Sequence, residues 1–260
     1  SDQNIEDHYR FWFNRLFKND IQSVTKAYLD IEVDISDIVG DFPEPGEAPV
    51  NVVTYINDGT INTYILRDPK NPLVQEFENQ VASGEIERDL RKLIEFAIGD
   101  EARQRKFNIF GYNFNVRFFD QEIQLLGSLF RQINTEEPDF LMAWNMAFDI
   151  PYLIQRIRNL GYRPESIMCH PDFKLNPKAE YFIDTRMENN YAERGDYAYI
   201  SAYTVYLDQM IQFASRRKGQ SAFASFKLND IGAQICGVQK LNYHHITTDL
   251  AKLPFLDFKT

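Results

Sequence analysis

Two carboxylates at alternate positions of one segment are the first candidates for chemistry in this sequence. Asp30 and Glu32 lie in the stretch Lys26 to Ile35, where apolar and acidic residues alternate with the period of a β-strand. Both therefore share one face of the strand, opposite Leu29. Carboxylates this close raise each other's pKa or recruit a cation, and hard oxygen ligands favour Mg²⁺ or Mn²⁺. A chain with 38 acidic residues in 260 contains about five such triplets by chance, so a solvated edge strand is the alternative unless more acids converge.

A second acidic candidate follows a short apolar run. Phe140 to Trp144 is continuously apolar, which is typical of a strand buried on both faces and parallel to its neighbour. Ile150 to Leu160 then has helical periodicity and closes at Gly161. Asp149 thus lies at a helix N-terminus beside the end of a central strand, where open α/β sheets gather ligands. The alternative is that Asp149 only caps the helix.

The remaining patterns position these carboxylates in an α/β domain. Val50 to Ile56 and Thr60 to Leu66 are β-rich and joined by Asn57-Asp58-Gly59, so we predict three consecutive antiparallel strands. Further segments are predicted as helix over 4–18, 72–98, 205–217 and 228–236, and as strand over 107–119, 181–185 and 197–201. The loop Gly40 to Gly46 displays Phe42, either beside the carboxylates or tucked into the core.

Composition narrows the class of protein. With 44% hydrophobic and 25% charged residues in 260, the chain is globular, with no apolar run that could span a membrane, and we expect a soluble, cytoplasmic protein. Cys169 and Cys236 are too few for a disulfide framework or zinc cluster. The net charge of −10 argues against an extended surface for duplex DNA, so any nucleic-acid site must be local and depend on metal. The basic residues that could contact a DNA backbone are Lys174, Lys178, Arg186, Arg216, Arg217 and Lys218. The last three are the densest group, and the alternative is that they complement the helix dipole and are solvated. His170, His244 and His245 lack the spacing of a metal set and are interpreted as surface or capping residues.

Two segments together resemble the first two exonuclease motifs of family B DNA polymerases. The first is Asp30-Ile31-Glu32 with Phe42-Pro43-Glu44-Pro45 downstream, and the second is Trp144 to Tyr152, which contains Asn145, Phe148 and Asp149. The resemblance is closest to polymerases of T4-like bacteriophages. It extends from about Ala27 to about Tyr243, because Asp184, Tyr206-Leu207-Asp208 and Lys227 to Ile231 follow in the family's order. On this resemblance, Tyr206-Leu207-Asp208 starts a structural helix.

This resemblance implies a ribonuclease H-like α/β fold, in which three antiparallel strands are joined by a parallel central strand and flanked by helices. It also implies 3′→5′ proofreading of single-stranded DNA with two Mg²⁺ or Mn²⁺ ions. Asp30 would bridge both ions, Glu32 would bind the ion on the nucleophile side, and Asp149 would bind the other. Asn145 would orient the terminal nucleotide or the metal shell. Phe42 and Phe148 would contact the substrate, with Phe42 stacking on the frayed 3′ bases.

One part of the family pattern is absent. The family carries a fourth metal carboxylate and a tyrosine in a Tyr-x-x-x-Asp motif, expected just after Leu253 to Lys259, whereas this sequence ends at Thr260. We therefore expect residues 1–20 to be a helical extension left from a preceding polymerase region and 21–260 to be an exonuclease domain truncated before its third motif. Isolated activity is expected to be weak or absent, and the partner to be a polymerase domain of the same or a companion chain. The alternatives are a catalytically silent DNA-binding or scaffolding module and a free-standing nuclease of repair or RNA processing.

Overall fold

The computed structural model describes residues 24–38, 43–98, 111–187, 190–217, 225–240 and 242–257, with the side chains of 93–98 and 250 left out. The predicted helix over 4–18 and Phe42 lie outside these ranges, as does Lys218. None of the described helices is long and apolar enough to cross a bilayer.

The acidic segment forms the centre of the main sheet, as predicted. β1 (Lys26–Val33) pairs antiparallel with β2 (Val50–Asn57), which pairs antiparallel with β3 (Thr60–Leu66). The β2–β3 turn places Asp58 at φ 44° and Gly59 at φ 71°, the left-handed pair that a tight hairpin requires. Leu29 and Ile31 are buried while Asp30 and Glu32 are exposed, so the alternation was interpreted correctly.

Parallel strands extend this unit on both sides. β4 (Asn113–Phe119) pairs parallel with β3, and β5 (Phe140–Ala143) pairs parallel with β1. β8 (Val205–Asp208) pairs parallel with β5, which gives the order β4-β3-β2-β1-β5-β8. The prediction of a helix from residue 205 was wrong for its first four residues. Val205 to Leu207 are β-branched, aromatic and apolar residues that gain backbone pairing with β5, and this tertiary pairing overrides the helical pattern.

Helices cover the sheet and complete the predicted ribonuclease H-like α/β architecture. The predicted helix over 72–98 is two helices, because the chain turns at Gly84 with φ 73°. The helices are α1 (Pro72–Ala82), α2 (Glu85–Ile98), α3 (Glu122–Glu136), α4 (Met146–Asn159), α5 (Pro164–Met168), α6 (Gln209–Arg216), α7 (Leu228–Ile231) and α8 (Leu253–Leu256). A separate hairpin pairs β6 (Ala179–Phe182) with β7 (Tyr197–Ile200), and a π-helical turn over Gly232–Cys236 follows α7.

The main core lies between the sheet and helices α3 and α4. Leu29 and Ile31 of β1 belong to one buried cluster with Leu129 of α3 and Ile150 of α4. Since the same β1 residues alternate with Asp30 and Glu32, burial of the apolar face fixes the direction of the carboxylates.

A buried ion pair ties the Pro/Gly loop to α4. Arg156 donates to both carboxylate oxygens of Glu122, at 2.8 and 2.7 Å, and to the carbonyl oxygen of Gly46 at 3.2 Å. Gly46 has φ 78°, and a Cβ there would meet the Arg156 backbone nitrogen at 2.7 Å. The loop between β1 and β2 is therefore anchored against the helix that carries Asp149, which holds the two motifs together.

Candidate active site

Four carboxylates gather where strands β1, β5 and β8 end. Because these strands are parallel, their carboxyl ends share one edge of the sheet. Asp30 lies two residues beyond Tyr28, the last β1 residue paired with β5. Asp208 is the last residue of β8 and lies opposite Ala143, the last residue of β5. Asp149 follows in the first turn of α4, so the edge collects side chains from three separate segments.

Asp149 is the most perturbed of these groups. Its side chain is buried, with 4% of the residue exposed. Burial raises its pKa to about 8, and the carboxylates of Asp30, Asp208 and Glu32 contribute in that order. The structure thus brings the three acids predicted from the two motifs within electrostatic range of one another. At neutral pH and without a cation, Asp149 is therefore mainly protonated.

Asp30 and Glu32 face solvent at the mouth of this edge, but the surrounding protein partly desolvates them. Desolvation raises the pKa of both carboxyls, and the charge of Asp30 raises the pKa of Glu32 further. The positive charge of Lys240 acts in the opposite direction on both. The site therefore already contains one cation that favours the ionised form of the strand carboxylates.

Lys240 is a site residue that the sequence analysis missed. Its backbone N–H donates to Oδ1 of Asn229 at 2.8 Å, which folds the segment after the π-helical turn back toward the carboxylates. Gly232 permits this turn, since a Cβ there would meet the carbonyl oxygen of Val238 at 2.9 Å. Lys240 lies about two hundred residues from Asp30 in a stretch without periodicity, so only the tertiary fold reveals their proximity.

Replacing Lys240 with methionine is expected to lower the exonuclease activity that the sequence resemblance implies, by about tenfold at neutral pH, because a charge that stabilises the ionised strand carboxylates is lost. The pKa of Asp30 and of Glu32 will rise, so the acidic limb of the pH–rate profile will move to higher pH. Lys252, which is exposed and pairs with Asp249 at 3.1 Å, offers the matched control Lys252→Met. Unchanged pH–rate profiles for both variants would show that Lys240 does not act on the carboxylates.

Asp208 was interpreted as the start of a structural helix, and it does cap one. Its Oδ1 accepts a hydrogen bond from the Ile211 N–H at 2.9 Å, and its Oδ2 is buried. Burial raises the pKa of Asp208, and the backbone amides of Ile211, Ala147 and Met146 and the charge of Arg194 oppose that rise. The sequence offered one signal for this position: Asp208 directly follows a β-rich run, as expected for a carboxylate at the end of a strand.

The residues predicted to bind substrate differ in the exposure of their side chains. Asn145 is exposed at the N-cap of α4, four residues before Asp149, and makes no side-chain capping bond, so its amide is accessible to a ligand. Phe148 is half-buried against the core, and its ring lies 5.3 Å from that of Tyr152. Part of the Phe148 ring therefore packs against the core. Its predicted contact with the substrate remains a proposal.

The other polar candidates do not join this edge as a group. Arg186 pairs with Asp184 at 2.9 Å, Lys178 lies 3.5 Å from Glu180, and the Arg217 guanidinium stacks 3.7 Å from the Phe213 ring centre. His170, which was interpreted as a surface or capping residue, has a capping role, because its Nδ1 accepts a hydrogen bond from the Asp172 N–H at 3.2 Å. Its side chain is 11% exposed, and its Nε2 lies 3.1 Å from the Glu137 carboxylate, because the His170 loop packs beneath Tyr203.

The donor chemistry of the edge fits a hard divalent ion. Among the residues that the structure describes, no group of three or more histidine, cysteine or acidic side chains is already arranged around a metal position. Carboxylates without a cation repel one another, and a protonated Asp149 is a poor ligand, so closer approach requires the ion itself. Four carboxyls without a thiolate or imidazole match the oxygen preference of Mg²⁺ and Mn²⁺.

Comparison with known families places this arrangement in context. No curated protein shows a significant match to the chain. The sequence profile described as DNA polymerase family B, exonuclease domain, matches residues 13–231, which include all four carboxylates of the edge. Since this match covers most of the 260 residues, the chain belongs to the exonuclease domain family of the family B DNA polymerases, with its ribonuclease H-like fold and 3′→5′ exonuclease function.

Proposed function

We propose that the chain removes nucleotides from single-stranded 3′ ends of DNA by hydrolysis at the Asp30, Glu32 and Asp149 edge. The observation that carries the proposal is the burial of Asp149 among three other carboxyls, which raises its pKa to about 8. A buried acid with like charges around it is costly for folding unless a cation offsets the repulsion. Such a cost is typical of catalytic sites rather than of helix caps.

Asp30, Glu32 and Asp149 would hold two divalent ions. Such ions would polarise the scissile phosphate and lower the pKa of an attacking water. Asn145 would orient the terminal nucleotide through its exposed amide. Lys240 would hold the strand carboxylates in their ionised form and offset negative charge near the phosphate. Phe148 and Phe42 would contact the terminal bases.

We further propose that the parent enzyme resembles the polymerases of T4-like bacteriophages, on the strength of Asp30-Ile31-Glu32 and the Phe42-Pro43-Glu44-Pro45 loop. In that setting residues 21–260 would act as a proofreading domain during DNA replication, with a polymerase domain of the same or a companion chain delivering the frayed 3′ end. A silent DNA-binding module is the second candidate. It is favoured by the absence of a ready-made metal cluster in the described ranges.

The proposal is tested by the polarity and metal dependence of degradation. We expect a 5′-labelled single-stranded oligonucleotide to shorten one nucleotide at a time in Mn²⁺ and more slowly in Mg²⁺, since Mn²⁺ tolerates irregular carboxylate sites better. EDTA should stop the reaction. As a control, an oligonucleotide of the same sequence with phosphorothioate linkages at its 3′ end should not be shortened.

Asp30→Asn protein, purified in parallel, controls for contaminating nuclease. Asp34→Asn is the matched variant, because Asp34 lies just past the same strand and its Oδ1 accepts from the Ser36 N–H at 3.0 Å. It should retain the wild-type rate. No shortening by wild-type protein in either metal, with the oligonucleotide still bound, would favour the silent module.

A further inference from the structure

A separate pocket lies between α3 and the edge strand β4, away from the carboxylate edge. It is an open groove with a volume of about 430 Å³. β4 contributes Asn115 and Arg117, which are alternate residues on one face of the strand. α3 contributes Ser128, Arg131 and Glu136, which share one helical face. All of these side chains are polar, which is unusual for a gap between a helix and a sheet.

The hydrogen-bond acceptors of this pocket are already occupied. The Glu136 carboxylate accepts from the Tyr55 hydroxyl at 2.8 Å, from the Asn57 amide at 2.7 Å and from Gln132 Nε2 at 2.7 Å. The side-chain carbonyl oxygen of Gln132 accepts from the Tyr64 hydroxyl and from Arg117. Both oxygens of the Glu136 carboxylate are therefore engaged by internal donors, and its single negative charge is outnumbered by the two arginines that line the pocket.

In contrast, several hydrogen-bond donors that line the pocket have no acceptor within the described part of the protein. Arg117 is held in place because its Nη2 donates to the Tyr64 hydroxyl at 3.0 Å and to the Gln132 side chain, and its guanidinium lies 4.7 Å from the Tyr64 ring centre. Its buried Nε and its Nη1 have no hydrogen-bond partner in the described part of the chain. The Arg131 guanidinium and the Ser128 hydroxyl lie on the opposite wall and likewise make no ion pair or side-chain hydrogen bond within the described ranges. Two cations and a hydroxyl thus face one space in a protein whose net charge is −10.

We propose that this pocket binds a phosphate group. The Arg131 fork and the Ser128 hydroxyl on the helix wall, with Nη1 of Arg117 on the strand wall, can reach three oxygens of a tetrahedral anion, whereas a planar carboxylate would occupy only the Arg131 fork. The volume also leaves room for an attached nucleoside. The phosphate can belong to a free mononucleotide or to a nucleic-acid strand, and both would be recognised by the same donors.

The test is a titration of the ¹⁵N-labelled protein with inorganic phosphate, dAMP and a short single-stranded oligonucleotide, in EDTA so that no metal site contributes. The reporter is the Arg117 Nε–Hε resonance. We expect a saturable shift of this signal, and at least about tenfold weaker binding in Arg131→Gln. Arg158→Gln removes an exposed charge from α4 and should bind like wild type. Asp149→Asn should also retain binding, which separates this pocket from the proposed exonuclease site.

The three ligands identify the source of the phosphate. Tighter binding of dAMP than of inorganic phosphate would assign a nucleotide, and tighter binding of the oligonucleotide would assign a strand. Equal binding would assign the phosphate group alone, and each of these outcomes supports the pocket. The proposal is overturned if the Arg117 signal does not saturate with any ligand, or if Arg131→Gln and Arg158→Gln weaken binding equally.

Discussion

Asp149→Asn is expected to reduce the exonuclease rate at least about a thousandfold, because it removes one anionic ligand from a site whose hydrolytic power depends on bound cations. Asparagine has nearly the same size, and it replaces a buried ionisable group among carboxyls with a neutral one. The variant should therefore fold with no loss of stability. The measurement is single-turnover release of the 3′ nucleotide in Mn²⁺, with circular dichroism to confirm the fold.

Asp208→Asn is the matched control for this prediction. Asp208 is buried, as Asp149 is, and lies at the same edge, but its Oδ1 caps α6, a role that asparagine fills equally well. We expect the rate of this variant to fall no more than about tenfold, because only the negative electrostatic field at the metal site is weakened. An equal loss in the two variants would mean that Asp208 is a metal ligand and that the assignment of the three carboxylates is incomplete.

The second large effect is a pH-dependent loss of stability in the metal-free protein. The pKa of Asp149 is raised from 3.8 to about 8, so between these values the folded chain holds a proton that the unfolded chain has released. Stability from this group is complete below pH 3.8 and falls by about 1.4 kcal/mol per pH unit until the pH passes the folded-state value. Between pH 5 and pH 8 this amounts to about 4 kcal/mol.

Urea unfolding in EDTA at several pH values measures this effect as a difference between wild type and Asp149→Asn. The pKa of Asp30, Glu32 and Asp208 is also raised by burial, but these groups remain in both proteins. The stability advantage of Asp149→Asn should therefore grow as the pH rises, and Mn²⁺ should abolish it by stabilising the ionised wild type. A difference that stays constant from pH 5 to pH 8 would show that Asp149 titrates normally.

The local parts of this fold could be predicted from sequence because they depend on short-range patterns. Alternation in β1 assigned the faces of Asp30 and Glu32, and Asn57-Asp58-Gly59 specified the hairpin that follows. The strand, turn and helix around Asp149 were also local. Each of these features is determined within about fifteen residues, where periodicity and turn chemistry are informative.

The remaining features depend on pairings between distant segments. Val205 to Asp208 becomes a strand only because β5 lies beside it, and this pairing also brings Asp208 to the site. Lys240 reaches the carboxylates through a π-helical turn that has no periodic signal. The phosphate pocket arises because β4 pairs parallel with β3 and exposes Arg117 beneath α3. Such contacts leave no trace in a single sequence, since no residue type at one end specifies its partner.

The most direct test of the central claim is a Mn²⁺ titration followed by electron paramagnetic resonance at a pH of about 8, where Asp149 is half ionised. Wild-type protein should remove free Mn²⁺ from solution with a stoichiometry approaching two ions per chain, as a two-metal hydrolase requires. The Asp30→Asn/Asp149→Asn double variant should titrate like buffer, and Asp34→Asn like wild type. Equal Mn²⁺ binding by wild type and the double variant would contradict the assignment of these carboxylates as the metal site.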